Sequence, residues 1–298
     1  MAPARVVAAA PPRVGVLTDS IPLAAILQQG LTDAGWEAGE DVSLVRRGAE
    51  DDGWRSAARA LAALRVSVIV AGDHAAMVAA RDATSLIPIV AIDFERDPVA
   101  DGFVQTLARP GGNVTGFFCD FGDAMAQVAR ALRDAVPDRR IIALTDGDAT
   151  HAQVRALRGI RDKLGAGVES VDLAVSPPST LIDRIAASRA ALLVLASSRL
   201  QAEAAPLAKR AVVRKLPSGG AFARYAQAGG LLARGPSLAD AFRRAAVTVA
   251  RLLRGAHAAE IAVESPPRFE LVLNAKTAAA LDMAFPPNLL SNADHIIR

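Results

Sequence analysis

The sequence predicts an α/β fold of two Rossmann-like lobes with parallel sheets, joined by hinge crossovers, and three observations carry that expectation. Apolar runs such as VIVA at 68–71 and ALLVLA at 191–196 are continuous rather than alternating, the pattern of parallel strands covered on both faces. These runs alternate with helical patterns almost to the end of the chain, as right-handed crossovers require. The strands also fall into two groups, separated by the loop-rich ARPGGNVTGFFCDFGD at 108–123, whose Pro-Gly-Gly is turn material.

In the first group, strands are expected at 13–17, 42–46, 66–71, 87–92 and 114–117, each rich in Val, Ile or Leu, with helices at 21–34, 54–64 and 75–83 between them. A long helix at 124–136 opens the second group. Strands follow at 141–145, 168–173, 191–196 and 230–233, interleaved with helices at 152–164, 181–188 and 203–214. A helix at 238–253 and a late strand at 269–273 come last. The expected first lobe is 13–117 plus 235–257, and the second is 118–234 plus 258–298. Open α/β sheets bind ligands at the C-terminal ends of their strands, which here would face a cleft.

Composition narrows the function classes. The 298 residues are 52% hydrophobic and only 4% aromatic, so Ala, Val and Leu must build the core. The 34 basic and 31 acidic residues are interspersed, with no basic block of the kind nucleic acid selects. Cys119 is the single cysteine, so neither an intrachain disulfide nor a cysteine-rich metal site is expected. No apolar run reaches the ~18 residues of a membrane span. MAPARVVAAAPP at 1–12 is too short for a full secretory signal; it reads as a signal stub, a trimmed end or a tail.

GxGxxG after a strand, GxxxxGK[ST], HExxH and GxSxG are all missing, so no catalytic, cofactor or metal motif is expected. His74, His151, His257 and His295 have no metal-ligand spacing. Asp19, Asp73, Asp93, Asp97, Asp120 and Asp146 lie at or just beyond predicted strand ends. Each is a natural helix cap. Clustered, they could instead bind a cation or perform acid–base work.

Several segments together resemble one family. GLTDAGWEAGEDVSL (30–44), LAALRVSVIVAGDHAAMVAARDATSLIPIV (61–90), DPVADGFVQTLARPGGNVTG (97–116), GGLLARGPSLADAFRRAAVTVARLLRG (229–255) and FELVLNAKTAAALDMAFPPNLL (269–290) are similar to the ABC-transporter substrate-binding proteins typified by tryptophan-binding members. LARPGGNVTG and FELVLNAKTAAAL with its following Pro-Pro-x-Leu-Leu are the specific parts, and the similarity runs over roughly 13–297. The resemblance implies a type I periplasmic binding protein fold, in which three hinge strands join two lobes that close on a small molecule. It implies a periplasmic or extracytoplasmic location, delivery to a membrane permease driven by a separate ATPase, and no catalysis. Ligands in the family lean towards aromatic amino acids and other small polar metabolites. Residues 116–119 and 234–236 are placed to absorb hinge rotation.

The chain departs from the family where the latter commonly has Gly-Thr-Pro-Ala and this sequence has Gly72-Asp73-His74-Ala75. IDFERDP at 92–98 adds Asp93, Glu95 and Asp97. An acidic wall is thus expected in the first lobe, disfavouring a ligand carboxylate and favouring a cationic or hydroxyl-rich ligand, with a protonated His74 as an offset. The expected ligand contacts follow the strand ends. In the first lobe they are Thr18, Asp19, Asp73, His74 and Ala75, then Asp93, Phe94, Glu95 and Asp97, with Phe117 at the crossing. In the second lobe they are Asp120, Asp146, Ser197 and Ser198, with Phe222 and Tyr225 after a Gly-Gly turn. Phe94, Phe117, Phe118, Phe222 and Tyr225 are expected to supply aromatic walls, with packing at the crossing as the alternative for Phe117 and Phe118. The function expected is solute capture for an ABC importer. The rivals are a sensor domain like the effector lobes of sugar-responsive repressors, and a metal-assisted enzyme using the acidic cleft. Only about twelve residues precede the first strand, too few for a helix-turn-helix.

Overall fold

The computed structural model describes residues 10–49, 53–93, 97–119, 121–159, 168–266 and 268–298. Its contacts divide the chain into two units. Unit 1 is Met1–Asp93, Pro98–Phe117 and Leu238–Glu264; unit 2 is Phe94–Asp97, Phe118–Ser237 and Ser265–Arg298.

Unit 1 is built on a five-stranded sheet of order β2-β1-β3-β4-β5. Its strands are β1 (Arg13–Leu17), β2 (Ser43–Arg47), β3 (Val68–Ala71), β4 (Ile89–Asp93) and β5 (Val114–Phe118). The β1–β2, β1–β3 and β3–β4 pairs are parallel. Val14, Val16, Leu17 and all of β3 are buried, which explains the continuous apolar runs. Helices α1 (Ile21–Asp33), α2 (Gly53–Ala63) and α3 (His74–Ala83) connect the early strands. Ser20 starts α1 by accepting the Leu23 N–H at 3.3 Å. The distant helix α10 (Leu238–Leu253) returns to pack on α1. Gly30 makes this possible, since a Cβ there would come within 2.7 Å of the Ala246 Cβ. Phe242, Ala245, Ala246 and Val249 of α10 are fully buried.

Residues 258–264, expected in the second lobe, pack in unit 1. The Thr115 hydroxyl donates to the Ile261 carbonyl at 2.7 Å, and the Glu264 N–H donates to the Gly116 carbonyl at 2.9 Å. Residues 235–237, expected in the first lobe, belong to unit 2. There Gly235 pairs with Glu270 in the sheet.

Unit 2 carries a seven-stranded sheet of order β12-β11-β10-β9-β8-β6-β7. Its strands are β6 (Ile141–Thr145), β7 (Val168–Asp172), β8 (Ala191–Val194), β9 (Ser218–Gly220), β10 (Leu232–Pro236), β11 (Phe269–Asn274) and β12 (His295–Ile297). All the pairs are parallel except β10–β11. The helices are α4 (Phe121–Ala135), α5 (His151–Gly159), α6 (Pro178–Ala187), α7 (Ser198–Ala202), α8 (Ala204–Val213), α9 (Ala223–Gln227), α11 (Ala275–Ala280) and α12 (Pro287–Ser291). The helix expected at 152–164 corresponds to α5, its remainder lying outside the described residues. The Gly219-Gly220 pair, expected as a turn, is strand β9 instead. Small residues are needed there because Val128 and Leu232 pack over Gly219 and the Tyr225 ring lies on Gly220.

Candidate functional site

In unit 1, neighbouring strands β1 and β3 end side by side, bringing Thr18 and Asp19 next to Gly72, Asp73 and His74. The Gly72 N–H donates to the Leu17 carbonyl at 2.9 Å, and a Cβ at residue 72 would lie 3.2 Å from both the Thr18 Cβ and the Phe242 ring. Thr18 is buried; its hydroxyl accepts the Ser20 N–H at 3.2 Å and its carbonyl accepts from Arg46 at 3.0 Å. Asp19 is exposed and accepts the Ala49 N–H at 2.8 Å, which holds the loop after β2. Asp73 caps α3 from an extended backbone, its Oδ1 accepting the Ala76 N–H at 2.7 Å. His74 opens α3 and meets the Phe103 ring edge-on, with centroids 6.1 Å apart, while Arg81 stacks over the same ring at 5.7 Å. Ala75 is half-buried beside it and Phe117 is buried in β5, whereas Asp97, expected in the first lobe, is exposed and belongs to unit 2.

Phe94, Glu95 and Asp120 lie outside the described residues. Asp93 ends β4 and Ser198 opens α7, but their side chains lie outside the description as well. The acidic wall drawn from 92–98 therefore rests on its sequence alone.

In unit 2, Asp146 and Ser197 lie just beyond the adjacent strands β6 and β8. The Ser197 hydroxyl is fully buried; it donates to Asp146 Oδ2 at 2.8 Å and accepts the Leu200 N–H at 3.1 Å, so it caps α7. Arg199 reaches the other Asp146 oxygen at 3.3 Å, and the Asp146 N–H donates to the Thr150 hydroxyl at 3.0 Å. The buried Gln153 amide locks the strand end, donating to the Ala196 carbonyl at 2.6 Å and accepting its N–H at 2.9 Å. Next to them Asp172, ending β7, is held below the ordinary carboxylate range chiefly by the backbone N–H of Ala174, helped by that of Gly147 and the Thr145 hydroxyl.

The sequence points to Asp146 and Ser197 but misses Arg199, Thr150 and Gln153. Arg199 stands three residues past the predicted strand at 191–196, and that position was the signal that could have found it. Gln153 carries no such signal, being one polar residue inside a helical pattern. Ser197 is buried and committed to a cap and a carboxylate, which suits positioning rather than nucleophilic attack. Among the described residues, no group of three His, Cys, Asp or Glu side chains is placed to hold a metal ion.

The aromatic wall expected in the second lobe requires correction. Tyr225 is 2% exposed, with its ring wedged against Gly220 and Gly230, where Cβ atoms would approach it to 2.8 and 2.3 Å. Burial pushes its phenol up. The Ser218 side chain lies alongside and draws the phenol slightly back, but no hydrogen bond of normal geometry joins the two. Phe222 is also buried, edge-on to Phe121 at 5.6 Å and beneath Arg224 at 5.9 Å. Both rings are packing residues of unit 2.

A family model described as ABC transporter substrate binding protein matches residues 23–297. Comparison with curated protein sequences gives no match. Solved structures match over nearly the whole chain. An ABC domain in complex with L-Trp from Streptococcus pneumoniae superposes with a TM-score of 0.84 at 21% identity, covering 97% of this chain and 100% of that one. A conserved domain protein from Vibrio cholerae gives 0.81 at 22% identity, covering 96% and 99%. The ligand-free, open form of a substrate-binding protein with adhesive properties from Clostridium difficile gives 0.71 at 22% identity, with the same coverage. At these identities the likeness shows the fold, that of type I periplasmic binding proteins. Among the described residues, no helix is long and apolar enough to cross a membrane. Because the family model spans nearly its whole length, the chain belongs to the ABC transporter substrate-binding protein family.

Proposed function

We propose that this protein captures a small amino-acid-like metabolite, polar or aromatic, and hands it to the permease of an ABC importer. The family match over residues 23–297 carries this reading; the family is a binding class and not an enzyme class. Each unit by itself offers polar groups at its strand ends. Unit 1 offers the carboxylates of Asp19 and Asp73 with the His74 imidazole, and unit 2 offers the Arg199 guanidinium beside Asp146 and Ser197. Taken unit by unit, the carboxylates of unit 1 suit an ammonium or hydroxyl group and the Arg199 guanidinium of unit 2 suits a carboxylate. The Streptococcus pneumoniae relative in fold holds L-Trp, which makes tryptophan a first probe. Members of the family act outside the cytoplasm, and we assign this chain the same compartment.

The test is a thermal-shift and calorimetric screen with L-tryptophan, L-leucine, a polyamine and a nucleoside. A true ligand at a hundredfold excess over Kd adds about 2.7 kcal/mol of stability. Asp73→Asn then assigns the first unit's role, since Asn caps as well as Asp but carries no charge. Unchanged stability with at least a tenfold weaker complex, ~1.4 kcal/mol, is expected if Asp73 receives the ammonium. Equal affinity restricts Asp73 to capping. Absence of any binder across the screen, with turnover of one of the probes, would overturn the binding-protein reading.

A further inference from the structure

A second polar groove lies within unit 2, built by residues that the strand-end cluster does not use. On α4, Gln127, Arg130, Ala131 and Asp134 recur at i, i+3, i+4 and i+7 and so share one face. Asn288 on α12 and Asn292 at its C-cap form a matching pair, and the Asn288 amide donates to Asp134 at 3.4 Å. Arg234 of β10 and its register partner Leu271 of β11 lie beneath. Together these side chains line an open groove of about 400 Å³, within the range of small-molecule sites.

The groove has a definite charge pattern. Arg234 is half-buried; its Nε donates to Gln127 Oε1 at 2.8 Å, which fixes the plane of the guanidinium. Neither its two Nη groups nor the exposed Arg130 has an acidic partner among the described residues. Asp294, also at the groove, is already balanced: one oxygen accepts from Arg268 at 2.7 Å and the other accepts the Leu271 N–H at 2.7 Å. That leaves two guanidinium groups against the single carboxylate of Asp134, with side-chain amides from both helices. Guanidinium forks match carboxylates in geometry. Asp134 disfavours a multiply charged anion but accepts readily from a hydroxyl.

We propose that this groove is a second binding site, for a small hydroxylated monocarboxylate, with Arg130 and Arg234 holding the carboxylate and Asp134, Asn288 and Asn292 the hydroxyls. Gluconate is the probe and sorbitol its uncharged control, titrated into the full-length protein by calorimetry and by amide NMR. Saturable binding of gluconate alone is expected, with shifts at 127–134 and 288–294. Arg130→Gln and Arg234→Gln should each weaken it roughly tenfold, as loss of a charged hydrogen bond does, while Arg199→Gln leaves it unchanged. Arg130 is exposed, so Arg130→Gln decides the matter alone should Arg234→Gln fail to fold. Binding of sorbitol as tight as gluconate, gluconate affinity that follows Arg199 rather than Arg130, or no saturable binding at all would each overturn the proposal.

Discussion

At the scale of single residues, Tyr225 shows how a side chain expected at a binding surface can instead organise a core. Its ring fills the space that Gly220 and Gly230 leave open. Tyr225→Ala should therefore cost about 3–5 kcal/mol, as large-to-small core substitutions of aromatics do. Its buried hydroxyl has no well-formed hydrogen bond, so it pays desolvation without a full return. Tyr225→Phe is accordingly expected to keep or raise the melting temperature. A drop equivalent to more than about 1 kcal/mol in a urea titration would show that Ser218 is a true partner. The sequence revealed an aromatic in the right neighbourhood, but not its direction. Direction depends on which of the surrounding residues are glycines in contact with it, and contact is not a local property of sequence.

At the scale of elements, two strands depend on a glycine pressed against a neighbouring backbone. Gly116 in β5 has φ +136°, and a Cβ there would stand 2.0 Å from the Ala91 carbonyl oxygen of β4. At Gly235 in β10 the Ala221 carbonyl oxygen would be 1.7 Å away. Neither neighbour is a flexible side-chain tip, so the backbones would have to part. Gly116→Ala and Gly235→Ala should each destabilise by at least about 2 kcal/mol, measured as a lower urea midpoint. A neutral result at either position would mean that the strands separate there without cost. Long, apolar elements such as β1, β3, β6 and β8 were legible because burial on both faces leaves an unbroken Val, Leu and Ile run. Strand β9 was not, because two of its three residues are glycines selected by what packs on them. Strand β11 was legible at 269–273, but its antiparallel pairing and the three-residue β12 were not, because pairing direction and short edge strands are set by tertiary neighbours. In the candidate site, the Asp73 cap was legible from its place after a strand and Ser197 only as a strand-end residue, whereas Gln153, which ties down Ala196 from a helix, was not legible.

At the scale of the whole molecule, the two units should respond differently to acid. Among the described residues, the carboxyls displaced clearly downward are Asp172, held by backbone N–H groups, Asp183, held by Arg210, and Asp294, held by the Leu271 N–H and Arg268; all three lie in unit 2. Each has a folded pKa below its ordinary 3.8. The stability each contributes is complete above that pH and is lost as pH falls through the lower folded value. Below about pH 4, hydrogen exchange at β7 and β11 should rise before exchange at β1 and β3; the reverse order would contradict this account. The packing of α10 on α1 has a different consequence, one of timing. A ribosome makes β1 to β5 first, yet the helix that covers Gly30 and supplies Phe242 to their core is encoded some two hundred residues after α1. The first-made half must wait, with an apolar face uncovered, until the second is nearly finished. Such a chain profits from being held unfolded by a chaperone until its last third has emerged.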